Sequence, residues 1–193
     1  MKRFRTPAAV IAITFCFVAC RQPEAPAAGP HKAVSGWRQQ LKASLPLLGH
    51  RNWIIIADQA YPQLNAGGIE VIQTNEKLLP VLQQVLQQVN ASAHVRPIIY
   101  RDRELQFITE NQASGVTRFL QASGALFGNG LVQTILHDSI FKKMDDASRL
   151  FKILVLKTTE TIPYSSVFLQ LDCAYWDADR EKELRANMEN KQP

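Results

Sequence analysis

Cysteine is scarce in this chain: 193 residues hold three, Cys16, Cys20 and Cys173. Two of them fall within the first twenty residues, so the remainder has one thiol and no means of forming an internal disulfide. Cys-x-x-Cys and His-Glu-x-x-His are both absent, and His50, His94 and His137 lack the close spacing of a helix-borne metal site, which leaves zinc chemistry without support. No phosphate-binding loop occurs, and the glycines from Gly124 to Gly130 do not lead from a strand into a phosphate-binding helix, so nucleotide binding is not indicated. A Ser-centred Gly-x-Ser-x-Gly is also missing, which removes the commonest hydrolase cue. Basic residues exceed acidic ones, 22 to 17, but they form no stripe interleaved with aromatics, and a nucleic-acid partner is not expected. No apolar run approaches the roughly 20 residues of a membrane-spanning helix.

What is present is a composition able to bury a core, 46% hydrophobic and 20% charged, which excludes wholesale disorder and a collagen-like fibre. The chain opens with Lys2, Arg3 and Arg5, then a 13-residue apolar stretch from Ala8 to Cys20 that ends Phe17-Val18-Ala19-Cys20. This has the form of a bacterial lipoprotein signal over residues 1–19, with Cys20 as the lipidation site; the alternative is an ordinary secretory signal with an incidental cysteine. The expected product is exported and anchored by lipid to a bacterial membrane, facing the periplasm. Removal of residues 1–19 takes away three basic residues and no acidic one, and the net charge falls from +5 to +2. Residues 20–36, with Pro23, Pro26 and Pro30, read as a flexible tether that includes His31. Residues 37–193 are long enough for one domain with its own core.

The spacing of Trp37, Leu41, Leu45 and Leu48 predicts a short helix limited by Pro46. Trp53-Ile54-Ile55-Ile56-Ala57 is continuously apolar, as in a strand buried on both faces of a parallel sheet. Leu78, Val81, Leu82, Val85, Leu86 and Val89 mark an amphipathic helix within 74–90, with Pro80 tolerable only in its first turn. Residues 95–100 read as a strand in which Pro97 implies an edge position or pairing that begins beyond it. Shorter helical pieces punctuated by glycine are expected over 103–141. Asp146 is expected to cap a helix with Ala147, Leu150, Phe151, Leu154 and Val155 on its face, although residues 151–156 also fit a strand. A last strand is expected at 167–171, and a charged tail from Asp177 as a frayed helix or disordered. The pattern is that of an α/β domain: a mainly parallel sheet with helices on both faces.

His50, in the turn before the apolar strand, and Asp58, at its carboxyl end, are the residues best placed for chemistry. Open α/β sheets bind ligands at the carboxyl ends of their strands, and a carboxylate there is costly unless paired or used. The two flank the strand at about 20 Å, at ~3.3 Å per residue, so they do not meet within one straight chain. On spacing alone, a capping or hydrogen-bonded structural role is the commoner fate of such residues.

Leu48-Gly49-His50 followed by the apolar strand and Ala57-Asp58-Gln59-Ala60-Tyr61-Pro62 resembles the opening signature of the D-ribose pyranase and L-fucose mutarotase family. Thr158-Thr159-Glu160-Thr161-Ile162-Pro163-Tyr164-Ser165-Ser166-Val167 resembles that family's Thr-Gly-Glu-x-x-Pro-Tyr-Ala-Asn motif. Two motifs in the family's order extend the resemblance over about 37–175. It implies an α/β fold, a ring-shaped homo-oligomer with sites between subunits, and acid/base interconversion of the anomers or ring forms of a free monosaccharide, with no cofactor. Carried over by position, His50 and Asp58 fall on catalytic residues and Tyr164 on a sugar contact. Ser166 stands at the family's asparagine and His137 aligns, through an insertion, with a second histidine, so that both are expected to bind the sugar with Tyr164. Arg51 and Asn52 stand where the family has Gly-Asp. The alternative is a carbohydrate-binding or scaffold lipoprotein with the same fold and no turnover.

Overall fold

A computed structural model describes residues 36–190 apart from 129 and 131. The signal segment, the Cys20 lipidation site and the tether lie outside the described residues. α1 (Trp37–Ser44) runs into a 3-10 turn (Leu45–Leu47) at Pro46, then come β1 (Trp53–Ala57), β2 (Ile69–Gln73), α2 (Leu78–Asn90) and β3 (Val95–Asp102). A second 3-10 turn (Arg103–Phe107), α3 (Val116–Phe127), β4 (Val132–Ile135), α4 (His137–Ser148), β5 (Ile153–Lys157), β6 (Val167–Cys173) and α5 (Ala178–Glu189) complete the order.

The six strands form one sheet in the order β2-β5-β1-β6-β3-β4. All run in one direction except β6, which is antiparallel to both β1 and β3. The alternation of side chains across a strand sorts the core into two layers. Ile54 and Ile56 of β1 join Leu154, Leu156, Leu169 and Leu171 beneath α1, α2 and α3, whereas Trp53, Ile55 and Ala57 join Val155 and Phe168 beneath Ile140 and Met144 of α4. Helices thus cover both faces, as the sequence implies. Among the described residues no helix is long and apolar enough to cross a membrane.

Two local expectations need correction, and of the two readings of Pro97 the later start of pairing holds, on the β4 side. α4 stops at Ser148, and Leu154 and Val155 belong to β5, between β1 and β2, not to a helix face continued from Ala147. A strand covered on both sides is apolar at every position, Ile153-Leu154-Val155-Leu156, and over so short a run that pattern mimics a helical stripe. β3 is interior, so Pro97 does not mark an edge. It pairs with Leu171 on β6, while the β4 ladder begins at Ile99, past the residue that has no N–H to give. The stretch read as helical pieces contains β4, four residues with an exposed Gln133-Thr134 centre and no apolar run to reveal them. α2 begins at Leu78, four residues inside its expected span, with Pro80 in its first turn. The charged tail is a helix, α5, opened by the Asp177 side chain accepting from the Arg180 amide at 2.9 Å.

Candidate functional site

Because β6 runs against its neighbours, its first residues meet the carboxyl ends of β1 and β3. Asp58 leaves β1 there, Ser166 precedes β6, Asp102 ends β3, and His137 opens α4 just after β4. Parallel strands carrying their ends to one edge of the sheet is the arrangement in which open α/β folds form ligand sites.

Asp58 and Ser166 are locked together. The Asp58 amide donates to Ser166 Oγ at 2.9 Å, and Ser166 Oγ donates to Asp58 Oδ2 at 2.8 Å. Asp58 Oδ1 accepts from the Ala60 amide at 2.8 Å. The loop that carries Asp58 is tied to the loop after β5: Thr158 Oγ1 donates to the Ala57 carbonyl at 2.7 Å, the Gln59 amide to the Glu160 carbonyl at 2.7 Å, and Lys157 Nζ to the Tyr61 carbonyl at 2.8 Å. Ser166 is buried, and its hydroxyl is spent on orienting the carboxylate.

His137 is held on several sides. Its Nδ1 lies 2.9 Å from Asp102 Oδ2, and its main-chain N–H donates to both carboxylate oxygens of Glu104 at 3.1 Å. An anion at the start of α4 also suits the helix dipole. The Phe141 ring, one turn along, has its centroid 4.7 Å from the imidazole, and Tyr164 meets it edge-on at 5.1 Å and 89°. Tyr164 takes a left-handed backbone angle, φ 57°, a conformation that costs a non-glycine residue about 1–2 kcal/mol. That turn, after Pro163, lays the ring against His137 while the chain enters β6. With Nδ1 committed to Asp102, Nε2 is the imidazole atom open to a ligand.

Burial pushes the Asp102 carboxyl up to about 6; the hydrogen bond and charge of His137 oppose the rise, and the negative charges of Glu104 and Asp58 add to it. Burial likewise raises the Tyr61 hydroxyl, together with the charges of Asp102, Asp145 and Asp58. Asp102 and Glu104 had no motif to mark them. Asp102 sits between Arg101 and Arg103 and looks like part of a solvated charge run.

His50 lies elsewhere. At the opposite end of the sheet its Nδ1 stands 3.0 Å from Asp172 Oδ1, and Arg96 donates to Asp172 Oδ2 at 2.8 Å from its nearer nitrogen. Arg96 and Asp172 are directly opposed on β3 and β6. A cavity of about 610 Å³ opens beside them, lined also by Tyr175 and Trp176. Within one chain, therefore, Asp58, Tyr164, Ser166 and His137 come to one end of the sheet and His50 to the other. The residues standing for Gly-Asp have local roles. Arg51 takes a left-handed angle, φ 72°, as glycine would, and its guanidinium lies 4.8 Å from the centre of the Phe151 ring. Asn52 Oδ1 accepts from the Gly49 amide at 2.7 Å and closes the turn. Among the described residues no group of His, Cys, Asp and Glu has the makings of a metal site.

Neither a family model nor a curated protein sequence matches the chain. Its structure is similar to that of Bacillus subtilis RbsD complexed with D-ribose, with a TM-score of 0.50 at 19% identity over 68% of this chain and 89% of that one. The fucose mutarotase of Streptococcus pneumoniae in complex with L-fucose also matches, with a TM-score of 0.47 and 18% identity over 68% and 89% of the two chains. FucU from Bifidobacterium longum gives a TM-score of 0.47 and 15% identity over 68% and 92%. The likeness to the ribose-bound structure, together with the six-stranded, mostly parallel sheet, shows a chain with a ribose pyranase/fucose mutarotase-like fold.

Proposed function

We propose that this protein is a mutarotase- or pyranase-type isomerase that interconverts the anomers or ring forms of a free monosaccharide by acid/base catalysis. The observation that carries the reading is that an oriented carboxylate, Asp58, and an oriented imidazole, His137, which lies against the Tyr164 ring, stand at the same end of the sheet. A fold shared with a protein crystallised with D-ribose supports a monosaccharide as ligand.

The chemistry needs two proton carriers. A base takes the proton from the anomeric hydroxyl, the bond between the anomeric carbon and the ring oxygen breaks, and an acid protonates that oxygen. Rotation of the resulting carbonyl and closure on its other face reverse both transfers. A histidine is suited to both directions because its ordinary pKa lies near neutrality. Ser166 holds Asp58 in place, and Tyr164 offers a hydroxyl and a ring edge to the sugar. His50, at the far end of the same sheet, serves a site only in a neighbouring copy, so the reading includes a ring-shaped homo-oligomer in which sites are shared. Proton donors and acceptors complete the reaction without a cofactor. The exported, membrane-anchored location through Cys20 is part of the same proposal.

The test is saturation-exchange NMR with ribose, fucose and galactose. Anomer exchange above the uncatalysed rate, lost in Asp58→Asn, is the expected result. Sugar binding by calorimetry without faster exchange identifies a carbohydrate-binding protein and overturns the catalytic reading.

A further inference from the structure

We propose that Asp102 is a positioning residue that fixes the tautomer and orientation of His137, so that Nδ1 carries a proton toward Asp102 and Nε2 faces the sugar. This rests on the acid/base reading of the same site and extends it to a residue outside both family-like motifs.

Asp102 closes β3 in register with Ile135 of β4, two residues before His137 opens α4. The two side chains therefore meet because of strand pairing and not through local sequence. The Asp102 side chain is 1% exposed, whereas that of His137 is 38% exposed. One end of the pair is inside the protein and the other reaches the surface where a ligand arrives. Asp102 Oδ2 has the imidazole as its partner, and Asp102 Oδ1 has no hydrogen-bond partner among the described residues. A carboxylate that only braces a fold has its oxygens satisfied by backbone or side-chain donors. This one makes a single bond, to the ring whose free nitrogen the reaction uses.

The groups facing Asp102 support the assignment. Glu104 and Asp58 add negative charge, the Tyr61 hydroxyl is buried, and among these groups only His137 makes a hydrogen bond to the Asp102 carboxylate. Arg101, next in sequence, points to the other face, with its guanidinium 5.6 Å from the centre of the Phe127 ring. Phe141, Tyr164 and the Glu104 clamp on the His137 amide leave the ring one orientation. The carboxylate then selects which nitrogen carries the proton, as outer partners of a histidine do in metal and acid/base sites.

Nitrogen-15 NMR of the imidazole in the wild-type protein at pH above 7 tests the assignment without any substrate. The expected result is His137 predominantly as the Nδ1–H tautomer; a predominant Nε2–H tautomer overturns the proposal. Because that measurement needs no turnover, it is read separately from the sugar-exchange assay on which the function depends. In Asp102→Asn, exchange should fall by about tenfold to a hundredfold in kcat, with KM within about twofold by the uniform-binding criterion. The acid limb of the kcat profile near the Asp102 value of about 6 should disappear. Unchanged kcat and an unchanged limb in a folded variant overturn it, as does a loss confined to KM.

Discussion

Two histidine–aspartate pairs lie at opposite ends of one sheet, and their geometry is nearly the same: 2.9 Å for His137 and Asp102, 3.0 Å for His50 and Asp172. Their carboxylates nevertheless move in opposite directions. Asp102 is enclosed, makes one bond, and is raised to about 6 by burial, against the pull of His137. Asp172, with 22% of its side chain exposed, is also pushed up by burial. Arg96 and the Cys173 amide outweigh that push, helped by His50, and hold it below the ordinary range. A distance between two side chains thus says little about protonation; the partners of the second oxygen settle it. Burial prevails at Asp102, and the partners, Arg96 foremost, prevail at Asp172.

The strongest test of that contrast is activity. His137→Ala should reduce sugar exchange by about a hundredfold or more, the scale of one acid/base group, as read by saturation-exchange NMR. On the proposed ring assembly, His50→Ala should do the same, and mixed assemblies of His50→Ala and Asp58→Asn chains should regain exchange, because some interfaces then unite two intact contributions. Inactive mixed rings would separate His50 from the site.

Stability against pH distinguishes the carboxylates next. Asp102 has a native value of about 6 against 3.8 when unfolded, so between those values the native state holds more protons and stability falls as pH rises. Urea unfolding of Asp102→Asn should therefore gain on wild type from pH 4 to pH 7. At about 1.4 kcal/mol per unit, the gain has an upper bound of about 3 kcal/mol. A flat difference would mean that Asp102 does not titrate there.

Ser166→Ala leaves the Asp58 amide without its acceptor and Oδ2 without its donor. A loss of about 1–3 kcal/mol is expected in denaturant unfolding, with slower exchange from a loosened carboxylate. Asp172→Asn should have the smallest effect, below about 1 kcal/mol for a partly exposed pair, and the opposite sign. The wild-type advantage is present above pH 3.8 and disappears as pH falls through the lower native value. An Asp172→Asn variant that gains on wild type as pH rises would break the contrast between the two ends.

Much of the architecture was legible in the chain. Trp53–Ala57 reads as a doubly buried strand because every residue is apolar, and α2 declares itself through six apolar positions spaced for one helical face. β5 has the same all-apolar character as β1, but after α4 its first residues extend the helical stripe, and only the pairing with β1 and β2 resolves the two periods. β4 has no comparable signal, since a four-residue strand with exposed polar residues gains its stability from β3. Asp58, Tyr164 and Ser166 were found by motif. His137 required a gapped alignment, and Asp102, between two arginines, had nothing local to distinguish it.

By itself the sequence determined the alternation of strands and helices, the two motifs, and the position of Asp58 at a strand's end, because periodicity and local spacing are properties of the chain. Tertiary structure decided which groups stand together. The reversal of β6 brings Ser166 to Asp58 and Tyr164 toward His137, and the β3–β4 ladder sets Asp102 beneath the imidazole. The same sheet sends His50 to Asp172 and Arg96 at its other end. The charge states follow from burial and from partners up to 122 residues apart in sequence, and neither exists until the strands have paired.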